Sequence, residues 1–152
     1  MVAGKEMDWK FAEDFVIEPE DIARARARSL ELGVEAVTPA MGAQLAILTA
    51  TTVATNIIEV GTGAGVSGLW MLSGAPQATL TSIDIEADHQ QHARTSFLEA
   101  GHPANRFRLI TGRARDVLPR MNEHAYDVVL IDADPQSVIE YVEHGLRLVR
   151  SG

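Results

Sequence analysis

Glu59-Val60-Gly61-Thr62-Gly63-Ala64-Gly65-Val66-Ser67-Gly68 follows the apolar pair Ile57-Ile58 and runs into Leu69-Trp70-Met71-Leu72. A strand that breaks into glycines and restarts as a helix brings backbone close to a ligand. The segment has two parses. Gly63-x-Gly65-x-x-Gly68 fits the G-x-G-x-x-G spacing of a dinucleotide loop. The other parse starts earlier, with the acid Glu59 followed by glycines at 61, 63 and 65.

Outward from this loop the chain alternates. Strands are expected at Asn56–Val60, Thr79–Ile85, Phe107–Thr111 and Tyr126–Asp132. Helices are expected at Ala64–Ser73, Ala87–Ala100, Ala114–Met121 and Ser137–Val149. Such alternation builds βαβ units, a parallel sheet and helices on both faces. Before it, residues 1–17 read as an arm or short helix carrying Trp9, Phe11 and Phe15. A helix with Pro19 at its first position should stop at Gly33. Another starts at Thr38-Pro39, as cap then first-turn proline, and runs to about Ala54. The expected organisation is one domain over 1–152, with N-terminal helices to 54 and a Rossmann-like core over 55–152.

Composition narrows the function classes. The chain has 152 residues, enough for one real core. A formal net charge of -8 argues against general nucleic-acid affinity, which needs a basic face. Arg24, Arg26 and Arg28 sit near Glu20, Asp21 and Glu31 and read as a solvated face. The absence of cysteine excludes disulfides, thiolate zinc and a cysteine nucleophile. With no signal-peptide pattern in MVAGKEMDWK, a cytoplasmic setting is expected. Residues 36–83 carry one charge, Glu59, yet Pro39, Gly42, the glycine loop, Gly74 and Pro76 break both neutral windows. No membrane span is expected.

Asp84 ends the second strand, where a carboxylate can accept both hydroxyls of a ribose. That suits both parses. Two residues favour the second one. Gly61 already ends the strand and has no job in a dinucleotide loop. Glu59, in so apolar a setting, needs donors to satisfy it. Loop amides could supply them, and so could a bound ammonium. S-adenosylmethionine brings an ammonium and a sulfonium but no pyrophosphate. Bracing of the loop by Glu59 and direct contact with the ligand are compatible readings.

With these residues in view, the chain resembles the class I S-adenosylmethionine-dependent methyltransferases, in the catechol O-methyltransferase-like O-methyltransferase group. The resemblance covers roughly residues 34–152. It rests on Val37-Thr38-Pro39 with Gly42 and Gln44, the EVGTGAGVSGLW loop, Ser82-Ile83-Asp84-Ile85-Glu86, Gly112, and Tyr126 through Asp134. It implies a sheet in the order 3-2-1-4 and transfer of a methyl group to a hydroxyl of a small molecule. Val37 and Thr38 would line the methionine end of the cofactor, and Gly61, Thr62 and Gly63 would approach it through backbone. The Ser67 hydroxyl would bond its carboxylate at a helix N-terminus, unless it only caps its own helix. Asp84 would hold the ribose, Ile85 the adenine, and Ala114 would lie against the cofactor. Asp132 would sit beside the sulfonium as the catalytic residue and, in the family, helps hold a divalent metal. Asp134 either contacts cofactor or substrate or starts the last helix.

The chain departs from the family at one position. Members that use metal commonly carry lysine where this chain has Pro135, and proline cannot take a substrate proton. Metal use is therefore left open. None of His89, His92, His102, His124 and His144 offers an obvious replacement. His89 and His92 lie one turn apart on a polar helix expected away from the strand ends, and read as a solvated pair. Leu146 to Gly152 is where the family turns toward a fifth strand, so the expectation is a core lacking its C-terminal strands. A homodimer is expected. Two other functions compete: an NAD-binding oxidoreductase domain, and a cofactor-binding module with impaired catalysis.

Overall fold

The computed structural model describes residues 2–151, with side chains from Met7 onward. Three helices come first: α1 (Val2–Phe15), α2 (Glu20–Glu31) and α3 (Pro39–Thr51). The alternating part then gives β1 (Asn56–Val60), α4 (Val66–Gly74), β2 (Thr79–Asp84), α5 (Ala87–Glu99), β3 (Phe107–Thr111), α6 (Ala114–Val117), β4 (Val128–Ile131) and α7 (Val138–Leu148). The strands are all parallel, in the order β3-β2-β1-β4. This is the order that the family resemblance implied.

Alternation along β1 sorts its side chains between two cores. Ile57 joins Leu80, Phe97, Phe107 and the helices α2 to α5. Ile58 and Val60 join Ile83, Leu118, Tyr141 and Leu148 beneath α6 and α7. Period-2 alternation then sends Glu59 to the α2–α5 face, opposite Ser82 of β2. That register brings a buried acid and a hydroxyl together.

Small residues set the helix spacing. A Cβ on Gly74 would strike the Ala46 carbonyl, and one on Gly42 would enter the Trp70 indole, so α3 lies directly against α4. The Thr49 hydroxyl donates to the Met71 carbonyl at 2.9 Å and ties the same pair. Gly68 faces Leu80 and Phe97 with no room for a side chain. α4 is thus pressed onto the sheet at the loop that precedes it.

Several element ends differ from expectation. Pro19 is the cap of α2 rather than its first residue, with ψ 148. α3 stops at Thr51, and Val53 turns the chain at φ +49. α4 begins at Val66 because Gly65 takes φ +93. The expected helix over Ala114–Met121 is one α-turn followed by a 3-10 turn at Leu118–Arg120, where Pro119 cannot continue the α ladder. Tyr126 lies outside β4 and makes one parallel bridge, to Val149. The Arg150 amide donates to the Tyr126 carbonyl at 2.9 Å. The segment expected to turn toward a fifth strand runs beside that outer edge.

Candidate functional site

The carboxyl ends of β1, β2 and β4 open on a cavity of about 390 Å³. That lies within the range of small-molecule sites, roughly 300–1,000 Å³. Its floor is the glycine loop. Gly61, Gly63 and Gly65 take φ +100, +51 and +93, a region that L side chains avoid. Gly61 is also pressed on the Asp132 backbone, where a Cβ would meet the carbonyl oxygen. The glycine that the dinucleotide parse left without a job is therefore required twice over.

Asp84 closes the loop. Its Oδ2 accepts the Thr62 and Gly63 amides, each at 3.0 Å, and its Oδ1 accepts the Glu86 amide at 2.9 Å. In a dinucleotide site the loop's amides serve a pyrophosphate. Here a carboxylate already occupies two of them. A second anion on that spot would meet Asp84 at close range. The amides of the first turn of α4 have no side-chain cap, and they lie beside Ala64, Val66 and Ser67 on the cavity wall. A helix start of this kind receives a small anion.

Glu59 lies beneath the loop with no exposed surface. Oε1 accepts the Ser82 hydroxyl at 2.7 Å and Oε2 the Ser67 hydroxyl at 2.8 Å. Burial pushes its pKa up to about 7; Asp132 and Asp84 push the same way, while the two serine hydrogen bonds oppose. Glu59 thus ties β2 to the first turn of α4 beneath the loop and does not line the cavity. Ser67 lines the cavity, but its hydroxyl turns inward to Glu59 and neither caps nor back-bonds its helix.

The remaining expected residues divide. Val37, Ile85, Ala114, Asp132 and Asp134 line the same cavity as the loop. Thr38 does not. Its hydroxyl accepts the Met41 amide at 3.3 Å as the cap of α3, and it lines a second cavity of about 490 Å³. That second cavity holds Trp9, Met41 and Gln44, and it shares Glu35, Ala36, Val37 and Asp132 with the first. Asp132 thus stands between the two. Asp134 accepts the Ser137 amide at 2.9 Å and the Tyr141 hydroxyl at 3.3 Å. Hydrogen bonds from Ser137 and Tyr141 hold its pKa below the usual carboxylate range. It starts the last helical segment and also faces the cavity.

The sequence reading misplaced His89. The first turn of α5 follows the end of β2 at once, so His89 lines the cavity with Nδ1 3.4 Å from Asp84 Oδ2. The interval between the strand end and His89 was the available signal. Sequence reasoning also gave no role to Ser82, Thr62 Oγ1 or Gln90. Gln90 Nε2 donates to Thr62 Oγ1 at 3.0 Å, and the Thr62 and Ser82 hydroxyls are 2.5 Å apart. Nothing local marks these three, because they meet only where the loop after β1, strand β2 and helix α5 pack together.

Among the described residues, no group of three or more His, Cys, Asp or Glu side chains comes together as a metal site. Pro135 stands in the turn after Asp134 and adds no donor.

The fold has close counterparts. A crystal structure of a Corynebacterium glutamicum protein superposes with a TM-score of 0.90 at 32% identity, covering 98% of this chain and 71% of that one. The O-methyltransferase TomG from Streptomyces achromogenes, solved with S-adenosylmethionine, gives 0.85 at 29% identity, with 97% and 68% covered. A probable O-methyltransferase of Mycobacterium tuberculosis (strain H37Rv) is 50% identical over 145 residues, 95% of this chain and 65% of its own. The chain spans about 64–65% of the length of the curated relatives it matches. The family profile described as O-methyltransferase matches residues 13–152. Its acid-led glycine loop and the match along nearly all of its length place this chain in the O-methyltransferase family.

Proposed function

We propose that this chain carries the cofactor half of an S-adenosylmethionine-dependent O-methyltransferase that acts on a hydroxyl of a small molecule. The carrying observation is the Asp84 carboxylate seated on the amides of Thr62 and Gly63. It disfavours a pyrophosphate there and leaves acids and an uncapped helix start around the cavity. These suit a ligand with separate ammonium, sulfonium and carboxylate groups. S-adenosylmethionine, when bound, supplies an electrophilic methyl group on sulfur.

The protein's part is binding and alignment. Asp84 accepts the ribose hydroxyls, with Ile85 beside the adenine and Ala114 against the cofactor. Gly61, Thr62 and Gly63 form the floor, and the first turn of α4 with Ser67 meets the carboxylate. Val37 and Asp132 stand where the first cavity meets the second. An acceptor in the second cavity would present its hydroxyl across Asp132, and in-line alignment then supplies much of the rate. The Asp132 carboxylate is the group placed to stabilise the sulfonium and to hold the acceptor proton. A homodimer is part of this reading, supported by Trp9, Phe11 and Phe15 exposed on α1. So is a cytoplasmic setting without nucleic-acid partners, supported by the acidic, cysteine-free composition.

Calorimetric titration with S-adenosylhomocysteine and, separately, with NAD tests the cofactor. Saturable binding of the first alone, unchanged by a metal chelator, is the expected result. Saturable NAD binding without S-adenosylhomocysteine binding would overturn the reading.

A further inference from the structure

The hydroxyl protons beneath the glycine loop run in one direction. Gln90 Nε2 donates to Thr62 Oγ1, so one lone pair of that oxygen is taken. Ser82 spends its proton on Glu59 Oε1, so in the 2.5 Å Thr62–Ser82 pair Thr62 is the donor. Ser67 spends its proton on Glu59 Oε2. Thr62 thus donates to Ser82, and both hydroxyls that touch Glu59 spend their protons on its carboxylate. With Glu59 ionised, Ser67 offers the cavity only lone pairs, and so does a carboxylate docking at the start of α4. The two repel.

A proton on Glu59 Oε2 reverses one link. The acid O–H then donates to Ser67 Oγ, and the Ser67 hydrogen is released toward the cavity. Ser82 still donates to Oε1, and both Glu59 oxygens stay paired. We propose that Glu59 is a proton-coupled positioning residue: docking of the cofactor's carboxylate on Ser67 draws one proton from solvent onto Glu59. The inference rests on the cofactor reading above and adds a proton to its binding equilibrium.

The surroundings favour the neutral form. Asp84 at the end of β2 and Asp132 beyond β4 both oppose a negative Glu59, and burial opposes it more. β1 itself carries no other titratable side chain, and neither does α4. On α5 the nearest one, His89, is turned to Asp84. Glu59 does not line the cavity, so a ligand ammonium meets Asp132 and Glu35 there instead.

The test is calorimetry of S-adenosylhomocysteine binding between pH 6 and 8, in buffers of different ionisation enthalpy. At pH 8 nearly one proton per ligand should be taken up, and at pH 6 close to none. With Glu59 titrating at about 7, affinity should fall roughly tenfold from pH 6 to pH 8, as the competent fraction falls. Glu59→Gln keeps the reversed link, since its amide donates to Ser67 and its carbonyl accepts from Ser82. That variant should bind with less than about a twofold change over this range and without proton uptake. Wild-type binding at pH 8 without proton uptake overturns this inference and leaves the cofactor reading standing. Unaltered uptake in Glu59→Gln does the same. Failure to bind at every pH overturns both.

Discussion

Replacing Asp84 by alanine removes the acceptor of three backbone amides, those of Thr62, Gly63 and Glu86. In the free protein the Thr62 and Gly63 amides belong to the floor of an open cavity, where water takes the place of the lost carboxylate. Each lost bond then sits near the low end of the usual range, about 0.5–1 kcal/mol, and fold stability falls by roughly 1.5–3 kcal/mol. Cofactor binding loses more. The ribose forfeits hydrogen bonds to a charged acceptor, worth about 1.5–3 kcal/mol, a weakening of roughly 10- to 150-fold. Reordering the freed loop on binding adds to that. Asp84→Asn should recover little, because its one carbonyl cannot serve both the loop and Glu86 while its amide faces donors. The assay is titration with S-adenosylhomocysteine at 25 °C on protein whose circular dichroism matches the wild type. Unchanged affinity in a folded Asp84→Ala protein would refute the argument that this carboxylate organises the site.

Two further perturbations probe the frame. Gly61→Ala combines a backbone at φ +100 with a Cβ driven against the Asp132 carbonyl, so we expect a loss of about 3 kcal/mol or more in urea denaturation; a loss below about 1 kcal/mol would show that the β1–β4 contact yields easily. Asp127 accepts the Thr55 and Asn56 amides at 2.7 and 2.9 Å and pairs with Arg150 at 3.0 Å. Burial would raise its pKa, but the bonds from Asn56 and Thr55 and the Arg150 charge hold it below its ordinary value. A carboxyl depressed in the folded state stabilises above the unfolded pKa, and that contribution is lost as pH falls through the folded pKa. Asp127→Ala should therefore cost about 1–2 kcal/mol at neutral pH and progressively less below pH 4, and a difference independent of pH would contradict this account.

The strand and helix order was legible because apolar periodicity and glycine position are local properties. YDVVLID reads as an apolar strand, although only Val128–Ile131 pairs and lies half-buried at the sheet edge, and Thr38-Pro39 reads as a helix start. Asp84 was legible for the same reason, as an acid at the end of a strand beside a glycine loop. The sheet order was carried by resemblance to a family and by the handedness of crossovers. Element ends were less legible. Pro119 divides a helix, and the pairing of Tyr126 with Val149 depends on a contact 23 residues away in sequence, 149 less 126.

What the sequence by itself determined is that an acid-led glycine loop closes the first strand of a parallel sheet. What only the tertiary structure decided is where the charges and protons go. The β1–β2 register sets Glu59 opposite Ser82, and close packing of α4 on the sheet brings Ser67 to the other carboxylate oxygen. The rapid turn from β2 into α5 brings His89 back to Asp84. Capping of α3 takes Thr38 out of the loop cavity. Each of these outcomes is a distance between residues on different elements. A hydrogen bond depends on distance to within tenths of an ångström, and sequence spacing does not fix that once the chain has crossed the sheet.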